Sequence, residues 1–202
     1  RQIDRTQLAS SLDEIYVATS VDRTDDNLVQ ILDGTSVLVH RGSLNDVLSR
    51  FVEVVKISRA DHIVRMTADC PLIDPILIDK LIEVVIMGKH DFGSNQIPFK
   101  YPDGFDVDVF TLETLQDTFL NATDLYDREH VTPFMHKNQK ISKIGIPIEK
   151  NYSKLRFTLD EIEDLILLRK MFEIEPKLEN FGWQEIVDVY QKNTNLHKIN
   201  DH

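Results

Sequence analysis

Val64-Arg65-Met66-Thr67-Ala68-Asp69-Cys70-Pro71-Leu72-Ile73-Asp74-Pro75 reads as strand, acidic loop and helix. The lead-in Asp61-His62-Ile63-Val64 carries no turn signal, so the stretch opens as a buried strand. Pro71 stops it, because proline lacks the N–H that continues a ladder. Asp69 therefore stands where a parallel strand leaves its sheet, the end at which open α/β sheets bind ligands. Asp74 is placed as the N-cap of the next helix and Pro75 as its first residue. An aspartate in such a turn is more often a cap than a ligand, so the corner alone assigns Asp69 no role.

Outward from this corner the chain alternates strands and helices. Residues 14–19 read as a short buried strand, followed by the polar loop Asp22-Arg23-Thr24-Asp25. A helix over about 26–33 ends at Gly34, a fitting C-terminal stop. Residues 37–39 form a strand that runs into His40-Arg41-Gly42-Ser43, with Ser43 as cap of a long helix. Leu44, Val47, Leu48, Phe51, Val54 and Val55 recur there at helical spacing, with Arg50 among the surface residues. Strand 63–67 and helix 75–87 follow. Before all of these, residues 2–9 read as the tail of a helix with Ile3 and Leu8 in the core. This rhythm means a mostly parallel sheet with helices on both faces.

The second half is less regular. Residues 105–110 alternate acid and apolar, a strand with Asp106 and Asp108 on one face. Thr111 caps a helix over 112–120, and Asp127-Arg128-Glu129-His130 opens a shorter one. Residues 141–148 and 156–159 read as strands, and Asp160 caps a helix reaching about residue 172. The expected organisation is a single domain over 1–202. Within it, 96–110 is an acceptor-side or dimerisation arm and 173–202 a C-terminal helical extension.

Bulk properties exclude several classes. The 202 residues suffice for one sizeable core. A formal net charge of −11 argues against a nucleic-acid partner, whose binding face would be basic. The single cysteine, Cys70, rules out an internal disulfide framework and fits a reducing cytoplasm. No apolar run approaches the ~18 residues of a membrane span, so no membrane insertion is expected. The chain begins at Arg1 rather than Met, within what reads as a helix, and is expected to lack its natural beginning.

One internal echo gives Asp69 a partner. Arg65-Met66-Thr67-Ala68-Asp69 and Arg156-Phe157-Thr158-Leu159-Asp160 share the form Arg-x-Thr-x-Asp. Strand alternation would put each Arg, Thr and Asp on one side. Two carboxylates with guanidinium groups behind them suit Mg²⁺ carrying a triphosphate. The bland alternative is two capped turns with salt-bridged arginines. Asp106-Val107-Asp108 satisfies the D-x-D metal pattern of nucleotide-sugar glycosyltransferases, and a solvated strand face explains it equally well. Arg41-Gly42-Ser43 is placed where a strand meets a helix N-terminus, a natural anion or nucleobase site, though a capped turn accounts for it too. His130 beside Glu129 is a candidate base or merely a surface residue. Cys70 follows a carboxylate that raises its pKa, which argues against a nucleophile. No Walker or dinucleotide-type glycine loop occurs.

An ordered set of motifs carries a family resemblance: Val17-Ala18-Thr19-Ser20, Arg41-Gly42-Ser43 with Asp46-Val47-Leu48, the opening stretch 65–74, Pro102-Asp103-Gly104-Phe105-Asp106-Val107, Tyr126-Asp127-Arg128-Glu129-His130-Val131-Thr132-Pro133, and Arg156–Asp160. Together these resemble the spore-coat polysaccharide type of cytidylyltransferase, related to the CMP-sialic acid and CMP-KDO synthetases. The resemblance spans nearly the whole chain. It implies a Rossmann-like nucleotidyltransferase fold and transfer of CMP from CTP to a sugar, in particular a sugar acid, with release of pyrophosphate, for cell-surface polysaccharide synthesis.

By the same resemblance Asp69 and Asp160 are the Mg²⁺ ligands, with Arg65 beside them in the catalytic set. Ala18, Thr19, Arg41, Gly42 and Ser43 line the cytidine pocket. Asp106, Arg128, Glu129, His130 and Arg156 line the acceptor side, and a homodimer follows by analogy. Two departures stand out. Relatives open with a strand and a glycine-rich loop carrying Arg and Lys, which this chain lacks, so it is expected to be inactive in isolation. Ala68 replaces a frequent glycine. The competing readings are a glycosyltransferase using Asp106 and Asp108, and a non-catalytic nucleotide-binding fragment.

Overall fold

A computed structural model describes residues 1–200. The first half runs α1 (Gln2–Thr6), β1 (Tyr16–Ser20), α2 (Asp26–Leu32), β2 (Leu38–Gly42), α3 (Val47–Ser58), β3 (His62–Arg65) and α4 (Pro75–Gly88). The second runs β4 (Phe92–Ser94), β5 (Asp108–Thr111), α5 (Leu112–Asn121), α6 (Leu125–His130), α7 (Pro133–Lys137), β6 (Lys143–Gly145), α8 (Ile162–Ile174) and α9 (Trp183–Lys192). β1 and β2 pair in parallel. The remaining strands are ordered β3-β5-β4-β6, with β4 and β6 parallel and β5 antiparallel to both of its neighbours. Among the described residues β1 and β3 do not pair with each other, so the strands form a two-stranded and a four-stranded sheet.

Period-two alternation puts helices on both faces of the larger sheet. Val109 of β5 joins a core with Leu77, Ile78 and Leu81 of α4, Leu167 of α8 and Trp183 of α9. Its neighbour Phe110 joins the opposite core with Leu48 of α3, Phe92 and Leu115. α4 buries Leu77, Ile78, Leu81, Ile82 and Val85, and each such side chain contributes roughly 1.5–3 kcal/mol, so packing rather than propensity holds this helix. Gly93 lets it lie close: a Cβ there would stand 2.3 Å from Val85 Cγ2.

Asp74 caps α4 as expected, taking the Ile76 N–H at 2.9 Å. Its second oxygen takes the Trp183 N–H at 2.9 Å, so one carboxylate starts two helices. Leu178, Trp183, Ile186, Val187 and Leu196 thus tie the expected C-terminal extension to the main core. Its last two positions, 201 and 202, lie outside the described residues.

Several boundaries differ from the sequence expectations. β2 continues through Gly42, so Arg41 and Gly42 are strand residues paired with Thr19 and Ser20 rather than part of a loop. α3 starts at Val47, because the Asp46 carboxylate takes the Ser49 N–H at 3.0 Å, while Ser43 Oγ holds only the Asp46 N–H. The strand expected over 156–159 is a single bridge, Asp103 to Arg156. That over 141–148 contracts to Lys143–Gly145, and that over 105–110 begins only at Asp108. α8 begins at Ile162 because Asp164, not Asp160, gathers the N–H groups of Asp160 and Glu161. Leu8 is 63% exposed, and Arg5 is buried instead, donating to the carbonyls of Ile73, Leu178, Glu179 and Phe181.

Candidate active site

β3 ends at Arg65, and the chain then runs through Thr67 to Cys70. The Leu159 N–H donates to the Asp69 carbonyl at 2.8 Å. This single bond lays the two Arg-x-Thr-x-Asp segments together at their acidic ends. Asp69 is half-buried and Asp160 exposed. Among the described residues no group of three or more His, Cys, Asp or Glu is arranged to hold a metal ion. A lone pair of carboxylates fits Mg²⁺, which takes one or two from protein and completes its shell with phosphate oxygens and water. It does not fit a structural zinc site.

The two arginines turn to carboxylates rather than to open space. Arg65 donates to Asp108 at 3.2 Å across the β3–β5 register. Asp108 also accepts from Thr132 Oγ1 at 3.0 Å and lies 4.0 Å from His136. Arg156 binds Asp103 at 3.1 Å and Asp164 at 3.0 Å, and also Asp160. Burial opposes the charge on fully buried Asp164, yet the Arg156 guanidinium and the Glu161 and Asp160 N–H groups outweigh it. They hold its carboxyl below the usual carboxylate range.

Asp106 lies outside β5. Its Oδ2 accepts the Gly104 N–H at 3.1 Å, and Gln96 Nε2 donates to its Oδ1. Burial pushes its pKa up to about 6, and the neighbouring Asp103 adds to the rise. Asp106 and Asp108 thus serve separate partners, and the D-x-D pattern does not converge on one point. Gly104 sits at φ +99°, and a Cβ there would stand 2.6 Å from the Phe157 carbonyl carbon, so only glycine fits. Between Asp69 and Asp106 lies Cys70, whose Sγ is 3.6 Å from Asp69 Oδ1. Burial and the Asp69 charge push the thiol up, which disfavours the thiolate a nucleophile needs.

The residues implied for cytidine assemble around β1 and β2. Thr19 and Ser20 give their hydroxyls to Asp25, both at 2.6 Å, and these bonds hold the Asp25 carboxyl down at a pKa of about 2. Arg41 donates to the carbonyls of Ser20 and Asp22, each at 2.8 Å, and pairs with Asp26. The Ala18 carbonyl takes Arg50 Nη1 at 2.7 Å, while Arg50 Nε is buried without a partner. Gly42 faces the Arg50 and Glu53 side chains. On the acceptor side, Arg128 is fully engaged by Asp46 and the carbonyls of Phe119 and Ala122. Glu129 and His130 are exposed, and the His130 ring lies 4.3 Å from that of Tyr126. Arg50 and Asp25 were assigned no role by the sequence, since Arg50 acts through the distant Ala18 carbonyl and Asp25 across a turn.

Residues 1–198 match the family model described as cytidylyltransferase. The chain is 34% identical over 204 residues to the uncharacterized protein MJ1063 of Methanocaldococcus jannaschii, covering 98% of this chain and 81% of that one. It is 27% identical to the spore coat polysaccharide biosynthesis protein SpsF of Bacillus subtilis, over 90% of this chain and 76% of SpsF. It is 32% identical to the 8-amino-3,8-dideoxy-manno-octulosonate cytidylyltransferase of Shewanella pealeana, over 91% of this chain and 80% of that enzyme. The solved cytidylyltransferase of Leptospira borgpetersenii superposes with a TM-score of 0.91 at 30% identity, covering 96% of this chain and 83% of that one.

Proposed function

The chain belongs to the cytidylyltransferase family, and from that premise we propose that it transfers a cytidylyl group from CTP to a hydroxyl of a sugar acid in polysaccharide synthesis. The observation that supports the reading is the Leu159 N–H bond to the Asp69 carbonyl, which brings the backbones of the Asp69 and Asp160 turns together. Their carboxylates would hold Mg²⁺, which supplies charge neutralisation for the triphosphate. The sugar oxygen attacks the α-phosphorus, the bond from that phosphorus to the bridging oxygen breaks, and pyrophosphate leaves. The hydroxyl proton passes to solvent.

Phosphoryl transfer of this kind rests on positioning more than on covalent chemistry. Arg156 fixes the Asp160 carboxylate, and Asp164 fixes Arg156. The Thr19–Ser20 end of β1 and the Arg41–Gly42 end of β2 offer the cytidine side. The Asp106 and Gln96 cluster offers the acceptor side.

The test is incubation with CTP, Mg²⁺ and two acceptors, 3-deoxy-manno-octulosonate and 8-amino-3,8-dideoxy-manno-octulosonate, with pyrophosphate as readout. Release that requires both CTP and an acceptor supports the reading. CTP left intact with both acceptors overturns it for octulosonates.

A further inference from the structure

Arg50, in the first turns of α3, reaches across to β1 and gives Nη1 to the Ala18 carbonyl at 2.7 Å. Its Cγ lies against Gly42 at the end of β2, where a Cβ would stand 2.7 Å from it. Arg50 thus touches both strands of the cytidine side, yet its other two nitrogens are idle. Nε is buried without a hydrogen-bond partner, and among the described residues none binds Nη2, which is not buried. Native interiors seldom leave a buried N–H unmatched. Three carboxylates lie nearby, and each is engaged elsewhere. Asp25 takes the Thr19 and Ser20 hydroxyls, Asp46 takes Arg128 and the Ser49 N–H, and Glu53 takes His40 at 2.8 Å. Arg41, by contrast, is spent: Nε and Nη2 go to the carbonyls of Ser20 and Asp22, and Nη1 to Asp26. Of these two arginines, Arg50 is the one with donors left to offer.

We propose that Arg50 reads the base of the nucleotide through its Nε–Nη2 edge and selects cytosine over uracil. The two N–H groups of that edge point the same way, a fork that meets two acceptors side by side. Cytosine presents such a pair, O2 and the unprotonated N3. Uracil keeps O2 but carries a hydrogen on N3, so one arm of the fork meets a donor. The base approaches from the open Nη2 side, and a turn of the guanidinium plane brings Nε into line with it. A donor otherwise unmatched is paired by the right base and left unpaired by the wrong one, which is how a buried polar group confers specificity.

The inference rests on the transfer reaction proposed above for the identity of the nucleotide, and the experiment separates the two. CTP and UTP, each with Mg²⁺, are titrated calorimetrically at pH 7 into the wild type, Arg50→Met and Arg50→Lys, and pyrophosphate release by the wild type is measured in parallel. The expected wild-type Kd for CTP is at least about 10-fold below that for UTP. In Arg50→Met the Kd for CTP should rise by about 10-fold or more and that for UTP by less than about threefold, so the preference collapses. A role confined to bracing the Ala18 carbonyl would weaken both nucleotides alike. Arg50→Lys keeps the charge but lacks the fork, so it should lose the preference too, and it covers the case in which Arg50→Met does not fold. Equal affinity in the wild type, no binding of either nucleotide, parallel weakening of both, or a preference retained in either variant overturns the inference. A CTP preference that depends on Arg50, without pyrophosphate release, upholds the base reader and overturns the reaction. Release with a preference indifferent to Arg50 does the reverse.

Discussion

The Leu159 N–H lies 2.8 Å from the Asp69 carbonyl, so the two acidic turns of the chain are locked by backbone, not by side chains. Substituting either carboxylate therefore leaves the lock in place. Asp69→Asn and Asp160→Asn should fold with little change in Tm and lose Mg²⁺-dependent pyrophosphate release by about 100-fold or more. Thermal melts beside the release assay check this. Full activity in either variant removes that residue from the metal pair.

Arg156 brings a positive charge within 3.0 Å of Asp164, which is fully buried. Arg156→Met leaves that carboxylate uncompensated, an arrangement that costs about 3–5 kcal/mol. Urea unfolding at pH 7 should show the loss. Its sign with pH is fixed by the depressed folded-state pKa of Asp164: the stabilisation is present above the ordinary carboxylate value and disappears as the pH falls below it. The variant and the wild type should therefore converge in acid. A constant gap down to pH 2 contradicts the assignment.

The alternation of strands and helices was legible because periodicity reports burial, and Asp74-Pro75 announced α4 through capping chemistry. The repeated motif at Asp69 and Asp160 singled out two turns whose backbones meet through the Leu159 N–H. What stayed hidden depends on distant partners. Arg5 carries no signal in the sequence, because its partners are the distant carbonyls of Ile73 and Phe181. Asp108 looks like a free acid on a strand face until Arg65, opposite it in the register, claims it. Ser43 looks like the cap of α3, but Asp46, a charged acceptor three residues on, holds the helix start.

Arg128 joins α6 to the start of α3 through Asp46, with its Nε at 2.9 Å, and its Cζ lies 4.8 Å from the Phe119 ring centre. Lysine has one charged nitrogen and cannot hold a carboxylate and two carbonyls in this fork. Arg128→Lys should cost about 1–2 kcal/mol and Arg128→Ala about 2–3 kcal/mol. Denaturant midpoints measure both, and equal stability of the lysine variant and the wild type counts against the strut. Paired with Asp46→Ala in a double-mutant cycle, the losses should be less than additive.

Asp106 has the opposite pH sign to Asp164. Its folded-state pKa is about 6 against an ordinary 3.8, so the native protein holds the proton more tightly than the unfolded chain. The associated stability is complete below the ordinary value and is lost as the pH rises through the folded one. A tenfold difference in proton affinity is worth about 1.4 kcal/mol, so the wild type should lose on the order of 2–3 kcal/mol between pH 4 and 7 through this group. Asp106→Asn keeps an oxygen for the Gly104 N–H and carries no charge beside Asp103. It should gain on the wild type across that interval and run level with it above pH 7. Tm measured from pH 4 to 8 for both proteins decides the point, since parallel curves would mean that Asp106 ionises as freely in the folded state as in the unfolded one.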